Sequence, residues 1–144
     1  MRDLVNNKIF KKNKVTLLSD AILNIKEFSK KKNLQENIDL KKFKNGFFLA
    51  AGRFTKQKNF IYLIKEFKKF YELYPDEKLI IIGDGELKNK MINEININKL
   101  NNNIEIFEYT NNLYSYMKKS KAFILSSLWE EVGFVIVEAA LCNS

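Results

Sequence analysis

The fold of this chain is decided by the stretch Phe47-Phe48-Leu49-Ala50-Ala51-Gly52-Arg53, in which an unbroken apolar run is followed by a glycine and a cation. Such a run is typical of a β-strand buried on both faces, because neither face then needs polar side chains. Gly52 marks the end of the strand. Strands of this kind occur mainly in parallel sheets that helices cover on both sides. The stretch therefore predicts a parallel sheet that begins near residue 47.

The same strand pattern returns further along the chain, and a helical pattern follows each strand. Strands are predicted at residues 47–51, 78–82, 104–108 and 122–125. Helices are predicted from apolar side chains at helical spacing, namely Phe60, Leu63, Ile64, Phe67 and Tyr71, then Leu87, Met91 and Ile95, then Leu113–Lys119 and Phe134–Leu141. This alternation predicts an α/β fold: a Rossmann-like parallel sheet flanked by helices, with right-handed crossovers.

Residues 1–45 lack this alternation and carry lysine clusters at positions 11–12, 30–32 and 41–42. One helix is predicted from Asp20 to Phe28, with Ile22, Ile25 and Phe28 at helical spacing. We expect residues 1–45 to be an interdomain linker or leading segment, and residues 46–144 to be the α/β domain. The last four residues offer no further strand, so this domain is expected to be incomplete.

Composition restricts the chemistry that is open to the chain. Among its 144 residues there is no histidine and only one cysteine, so the commonest general base and an internal disulfide are both excluded. Catalysis would have to rest on carboxylates, lysine, arginine and backbone dipoles. No apolar run approaches the roughly 20 residues needed to span a bilayer, and residues 1–14 contain no apolar secretory core. These features favour a cytoplasmic location.

The formal net charge of +8 favours anionic partners. A biased, lysine-rich composition is one explanation, and peripheral association with the inner face of an anionic membrane is the other. No arginine-rich arm or aromatic-basic motif is present, so nucleic acid is not an expected partner.

In an open parallel sheet, ligands bind beyond the carboxyl ends of the strands. The segments predicted to occupy this edge are Gly52-Arg53, Gly83-Asp84-Gly85, residues 108–110 and residues 126–133. Gly83 allows two interpretations, a tight turn or a point of ligand contact. The third glycine of a dinucleotide fingerprint would fall at Lys88, so a nicotinamide or flavin site is not expected.

Two cations follow the first strand. Arg53 is the only arginine besides Arg2, and its guanidinium fork suits a diphosphate. Lys58 could place a second cation on the same anion, with Lys56 as its rival. Cations near a helix N-terminus are electrostatically unfavourable without an anion. The alternative is that both are solvated surface charges.

Two carboxylates flank Gly133, where the last helix is expected to begin. A helix N-terminus attracts phosphate through its free N–H groups and partial positive charge. Glu138 is the only charge on an otherwise apolar helix, so it should be paired or bound to a ligand. Glu130 lies in the preceding loop, and the adjacent Glu131 is its rival. Trp129 is expected to pack against the protein rather than to stack on a sugar.

These segments resemble the retaining glycosyltransferases of family 4, the group 1 glycosyl transferases, which share the GT-B fold of two Rossmann-like domains. The resemblance rests on Glu130 and Glu138, which match the E-x(7)-E element, and on residues 51–59 and 79–87. It extends from about residue 47 to the end of the chain. The family usually has Gly-Phe after the first glutamate, whereas Glu131 and Val132 precede Gly133 here. This departure bears on which sugar is held.

The resemblance implies that residues 46–144 are part of a nucleotide-sugar-binding domain, the C-terminal half of a GT-B enzyme. Such an enzyme transfers a sugar with retention of configuration from a nucleoside diphosphate sugar, here preferably a UDP-sugar, without a metal or other cofactor. The acceptor glycan or lipid would be held by an N-terminal domain outside this chain, in cell-envelope polysaccharide biosynthesis. By itself the chain is expected to bind nucleotide weakly and to be inactive.

The resemblance also assigns roles to individual residues. Glu130 would contact the transferred sugar, and Arg53 and Lys58 would neutralise the departing diphosphate, which makes these three the catalytic residues. Glu138 would hold the ribose hydroxyls. The full set of donor-binding residues is Arg53, Lys58, Gly83, Gly133, Phe134 and Glu138.

Two functions of other classes remain open from the residues alone. A non-catalytic nucleotide-binding or regulatory α/β module would keep the anion site at the helix N-terminus but would have no use for Glu130. A basic surface adaptor would bind polyanions with a strong salt dependence and would be indifferent to Glu138.

Overall fold

The protein is described by a computed structural model that covers residues 28–29, 40–131 and 133–142. Its strands form one parallel sheet in the order β3-β2-β1-β4, comprising β1 (Phe48–Ala51), β2 (Leu79–Ile82), β3 (Ile104–Phe107) and β4 (Ala122–Phe123). The α-helices between and after them are α1 (Phe60–Leu73), α2 (Lys88–Ile97), α3 (Leu113–Lys119) and α4 (Phe134–Leu141). The predicted α/β fold with a Rossmann-like parallel sheet is confirmed.

The two central strands explain why their sequences are apolar throughout. β1 pairs with β2 from Phe48 opposite Leu79 to Ala51 opposite Ile82, and every residue of β2 is buried. Side chains alternate between the two faces of a strand, and each face here lies under helices. Polar side chains would therefore be buried on either face, which is why β2 consists only of leucine and isoleucine.

Each face of the sheet has its own core. On one face, α1 and α2 contribute Ile64 and Met91 to a cluster with Ile81 and Phe54. On the other face, Met117 of α3 and Ala139 of α4 pack with side chains that include Phe47, Leu49 and Ile80. The carboxyl ends of the strands and the N-termini of the helices after them therefore share one edge of the domain.

Helix α1 shows how the apolar spacing is used. Its buried residues are Phe60, Leu63, Ile64 and Phe67, one stripe along a helix of 14 residues. The N–H of Tyr74 donates to the carbonyl of Phe70 at 3.0 Å and closes the C-terminal end. No described helix, α1 included, is long and apolar enough to cross a membrane.

The described part of the leading segment packs onto the domain. A short 3₁₀ helix, Lys41–Phe43, buries Phe43 against Phe47, with 5.5 Å between the ring centroids. Phe28 is buried too, and its ring lies 4.9 Å from that of Tyr114. The helix predicted from Asp20 lies outside the described residues except at its last residue, Phe28. The division at residue 45 stays a prediction.

The last strand is shorter than predicted. Strand β4 ends at Phe123 rather than at residue 125, although the N–H of Ile124 still donates to the carbonyl of Leu49 at 2.7 Å. Beyond that bond the backbone leaves the sheet and turns toward the loop that precedes α1, where the Ser126 hydroxyl donates to the carbonyl of Lys58 at 2.8 Å. These contacts with the loop replace the last strand pairings.

Candidate functional site

Two glycine loops meet at the carboxyl ends of β1 and β2. The N–H of Gly52 donates to the carbonyl of Ile82 at 3.0 Å, and the N–H of Phe54 donates to that of Asp84 at 2.8 Å. A β-carbon at Gly83 would lie 1.9 Å from the carbonyl oxygen of Gly52, and the φ angle of Gly83 is +155°. Only glycine fits there. This close approach and the positive φ angle, which agree with a tight turn, one of the two interpretations open from the sequence, account for Gly83 without a ligand.

Lys58 and Glu130 are brought together from opposite ends of the domain. The Nζ of Lys58 lies 2.5 Å from Oε1 of Glu130, and the Ser127 hydroxyl donates to the same oxygen at 2.6 Å. The side chains of Lys58 and Glu130 are only 14% and 22% exposed. The hydrogen bond from Lys58, and then that from Ser127, hold the pKa of Glu130 below its ordinary value of 4.5. Glu130 is therefore an anion at neutral pH and is paired with the cation predicted to act beside it.

The loop that carries Lys58 is also tied to the loop that carries Glu130 through the neighbours of these two residues. Gln57 makes two of the ties: its carbonyl accepts from the N–H of Leu128 at 2.8 Å, and its Nε2 donates to the carbonyl of Trp129 at 3.0 Å. With the bond from Ser126 to the Lys58 carbonyl, these contacts fix the two loops relative to each other. The position of Glu130 is thus set by a segment more than 70 residues earlier in the chain.

Two cavities open side by side at this edge. The first, of about 330 Å³, has mostly apolar walls and is lined by Ala51, Gly52, Arg53, Lys58, Ile82, Gly83, Asp84, Tyr109, Thr110, Leu113 and Val135. The second, of about 420 Å³, is more polar and is lined by Arg53, Gln57, Lys58, Trp129, Glu130, Glu131, Gly133, Phe134 and Val135. The residues common to both are Arg53, Lys58 and Val135. Both predicted cations therefore stand at the wall between an apolar and a polar cavity.

Arg53 differs from Lys58 in its surroundings. Its side chain is exposed, and no carboxylate of the described residues forms an ion pair with it. An exposed guanidinium that lines two cavities is available to an anion that reaches into either. The described residues also contain no cluster of three or more histidine, cysteine, aspartate or glutamate side chains that could hold a metal. That the chemistry needs no metal stays a prediction.

Helix α4 begins at the second cavity. Gly133, at a φ angle of +66°, precedes its first residue Phe134, and no side chain in the described part of the chain caps this N-terminus. A β-carbon at Gly133 would meet only the Glu130 side chain, at 3.9 Å, so its conformation rather than its space favours glycine. The partial positive charge of an uncapped helix end thus lies at the wall that Gly133 and Phe134 form.

Glu138 has a protein partner that the sequence did not indicate. The hydroxyl of Tyr114, in α3, donates to Oε1 of Glu138 at 2.6 Å. Glu138 lines neither of the two cavities itself, whereas Val135, one turn earlier on α4, lines both. The carboxylate, expected to be paired or bound to a ligand, is thus hydrogen-bonded by a neutral hydroxyl that does not cancel its charge. No periodicity in the chain could have singled out Tyr114, because the contact depends on how α3 and α4 pack.

Two interpretations near Glu130 can now be compared with the structure. Glu130 contacts Lys58, while Glu131 is exposed, so only the former is held in place. The expectation that Trp129 packs against the protein is wrong: its side chain is 56% exposed and lines the second cavity. The contact that holds Trp129, from Gln57 to its backbone carbonyl, lies at the protein surface, and the ring belongs to neither core cluster.

Sequence comparison shows the family to which the chain belongs. The model of the family described as glycosyl transferases group 1 matches residues 31–143, and the chain belongs to that family. An uncharacterized glycosyltransferase of Methanocaldococcus jannaschii is 44% identical over 102 residues, which is 70% of this chain and 25% of that protein.

A second relative aligns with nearly the whole chain. It is the N-acetylgalactosamine-N,N'-diacetylbacillosaminyl-diphospho-undecaprenol 4-alpha-N-acetylgalactosaminyltransferase of Campylobacter jejuni, 32% identical over 99% of this chain and 37% of its own length. The chain thus spans between a quarter and about two fifths of the length of these two relatives.

Solved structures agree with the fold. A crystal structure of a mutant TarM from S. aureus, in complex with fondaparinux, alpha-GlcNAc-glycerol and UDP, superposes with a TM-score of 0.71. The match covers 99% of this chain and 26% of that one, at 18% identity. At that identity the likeness shows the fold alone, which is part of a GT-B glycosyltransferase.

Proposed function

We propose that this chain forms the donor-binding part of a glycosyltransferase that uses a nucleoside diphosphate sugar, preferably a UDP-sugar, and retains the configuration of the transferred sugar. The observation that carries the proposal is the pair of cavities that share Arg53 and Lys58. A nucleotide sugar has the same layout: a largely apolar base at one end, a polar sugar at the other, and a diphosphate between them. The two cations stand where the diphosphate would cross from one cavity to the other.

In this proposal the chain acts on the leaving group and on the sugar. Arg53 and Lys58 neutralise the charge that develops on the diphosphate as the glycosidic bond breaks, and the N-terminus of α4 adds its dipole. Glu130 contacts the transferred sugar in the second cavity, together with Gly133 and Phe134. Stabilisation of this kind can replace a metal ion at the leaving group.

The acceptor side of the proposal rests on the relatives and on charge. The Campylobacter relative is named for a diphospho-undecaprenol acceptor. We propose an acceptor glycan or lipid of the cell envelope, held by an N-terminal domain of the longer protein. The net charge of +8 supports peripheral contact with an anionic membrane on the cytoplasmic side. Nucleic acid is not a proposed partner.

Calorimetric titration with UDP, GDP, ADP and NAD tests the donor site. We expect one nucleoside diphosphate to bind, and we expect Arg53→Ala to weaken it about tenfold or more, as befits a lost charge-assisted contact. Lys90→Ala is the matched control, because Lys90 is an exposed cation on α2 that lines neither cavity. Binding of NAD alone, or of no nucleoside diphosphate to the folded chain, would refute the proposal.

The catalytic part is tested separately in the full-length protein. Glu130→Gln should abolish most turnover without weakening nucleotide binding, because Glu130 is assigned to the sugar rather than to the nucleotide. A non-catalytic nucleotide-binding module would instead show no sugar transfer in the wild type under any donor and acceptor combination.

A further inference from the structure

We infer that Tyr114 is a positioning residue for nucleotide recognition: its hydroxyl holds the carboxylate of Glu138 in the orientation that receives the ribose hydroxyls of the donor. The inference rests on the proposed function and on the role that the family resemblance implies for Glu138, which is to hold the ribose hydroxyls of the donor. It adds a residue on a different helix, one that neither the sequence motif nor the cavity linings identify.

The position of the pair supports this role. Val135, one helical turn before Glu138, lines both cavities, and Leu113, the neighbour of Tyr114, lines the first cavity. The 2.6 Å bond between Tyr114 and Glu138 therefore joins the two helices, α3 and α4, that each contribute a residue to the wall of the apolar cavity. Both side chains are half-buried, so neither is held by core packing alone.

The chemistry of the donor fits as well. A glutamate side chain has several rotatable bonds, and fixing it before a ligand arrives lowers the entropy lost on binding. A phenol is a neutral donor, so it orients the carboxylate without cancelling its charge, as a lysine would. A carboxylate can accept about four hydrogen bonds. Tyr114 takes one on Oε1, which leaves Oε2 and a further site on Oε1 for a pair of ribose hydroxyls.

The aromatic surroundings favour a fixed ring. The Tyr114 ring lies 4.9 Å from that of Phe28, which is buried. Two residues further on in the same helix, the Tyr116 ring instead contacts Phe47 and Phe107, at 6.4 and 5.8 Å. Tyr116 therefore supplies a matched control, a phenol on α3 with no hydrogen bond to Glu138.

The test compares binding of UDP with binding of 2′-deoxy-UDP and 3′-deoxy-UDP. The wild type should prefer UDP by about tenfold over each deoxy analogue, which is the effect of one hydrogen bond to a charged group. Tyr114→Phe should reduce that preference to about threefold or less, by weakening UDP while leaving the deoxy analogues nearly unchanged. Tyr116→Phe should retain the full preference.

The outcomes separate this inference from the proposed function. If the wild type binds no nucleoside diphosphate, both fall. If it prefers UDP over the deoxy analogues and Tyr114→Phe keeps that preference while lowering only the melting temperature, the Tyr114 bond merely ties α3 to α4 and the inference is overturned. If Tyr114→Phe does not fold, Tyr114→His serves instead, because the shorter imidazole side chain does not reach Glu138. An unchanged preference for UDP over the deoxy analogues in that variant would also overturn the inference.

Discussion

Replacing Glu130 by glutamine tests the electrostatic account of the site most directly. In the folded protein its Oε1 accepts from Lys58 at 2.5 Å and from Ser127 at 2.6 Å, and both charged side chains are largely shielded from water. An exposed ion pair contributes about 0–1 kcal/mol, and a hydrogen bond to a charged group about 1.5–3 kcal/mol. Glutamine keeps an oxygen for Ser127 and loses the charge, so we expect unfolding at pH 7 to become easier by about 1–1.5 kcal/mol.

The effect should depend on pH with a defined sign. The pKa of Glu130 lies below 4.5 in the folded protein, so the carboxylate stabilises the fold above the unfolded pKa, and this contribution is lost as the pH falls through the folded pKa. The difference between wild type and Glu130→Gln should therefore be full at pH 6–7 and shrink steadily below about pH 4.5.

Urea unfolding at a series of pH values measures this difference, and a thermal midpoint lower by about 3–6 °C should accompany it at pH 7. Glu131→Gln is the matched control, because the adjacent carboxylate is exposed, and it should change stability by less than about 0.5 kcal/mol at every pH. Equal stability of Glu130→Gln and wild type at pH 7 would refute the reasoning. So would a loss that stays constant down to pH 3.

Three further substitutions, one of them with a glycine control, probe the fold and the loops. Gly83→Ala places a β-carbon 1.9 Å from the Gly52 carbonyl oxygen, so denaturant unfolding should show a free energy of unfolding lower by about 3 kcal/mol or more. The control Gly133→Ala, where space is open, should lower it by about 1 kcal/mol. Similar losses in the two variants would contradict the close approach at Gly83. Ile80→Ala, in a fully buried position, should lower the free energy of unfolding by about 2–5 kcal/mol in the same measurement. A smaller loss would mean that the residues around position 80 rearrange to fill the space. Gln57→Ala removes the hydrogen bond to the Trp129 carbonyl and should lower the free energy of unfolding by about 1 kcal/mol. The fluorescence of the chain's one tryptophan should then be quenched more easily by acrylamide. Unchanged quenching would mean that other contacts hold the loop.

The fold was predictable because its strands depend on local sequence and burial. Strands buried on both faces must be apolar throughout, so β1 and β2 could be located from their unbroken apolar runs. Helices α3 and α4 have the predicted bounds. The end of β4 was not predictable. It depends on Ser126 reaching the backbone of the loop before α1, a contact between segments 68 residues apart.

In the candidate site, too, some features could be predicted from the sequence and others could not. The cations and carboxylates could be named from the sequence because parallel topology brings the carboxyl ends of the strands to one edge. Their partners could not, because side-chain pairing depends on packing rather than on spacing. Tyr114 and Gln57 show this: one bonds Glu138 across two helices, and the other holds the loop of Trp129.

The pairing of Lys58 with Glu130 bears on how ligands of different size would respond to salt. A long polyanion samples the whole surface and its net charge of +8, so its binding would weaken steeply as ions are added. A diphosphate that reaches Lys58 would take the place of the Glu130 carboxylate as the anionic partner of this lysine. This exchange changes the local charge little. Its salt dependence would be shallow and set mainly by Arg53. A salt titration of the unmodified protein would therefore distinguish occupation of the cavities from adhesion to the lysine-rich surface.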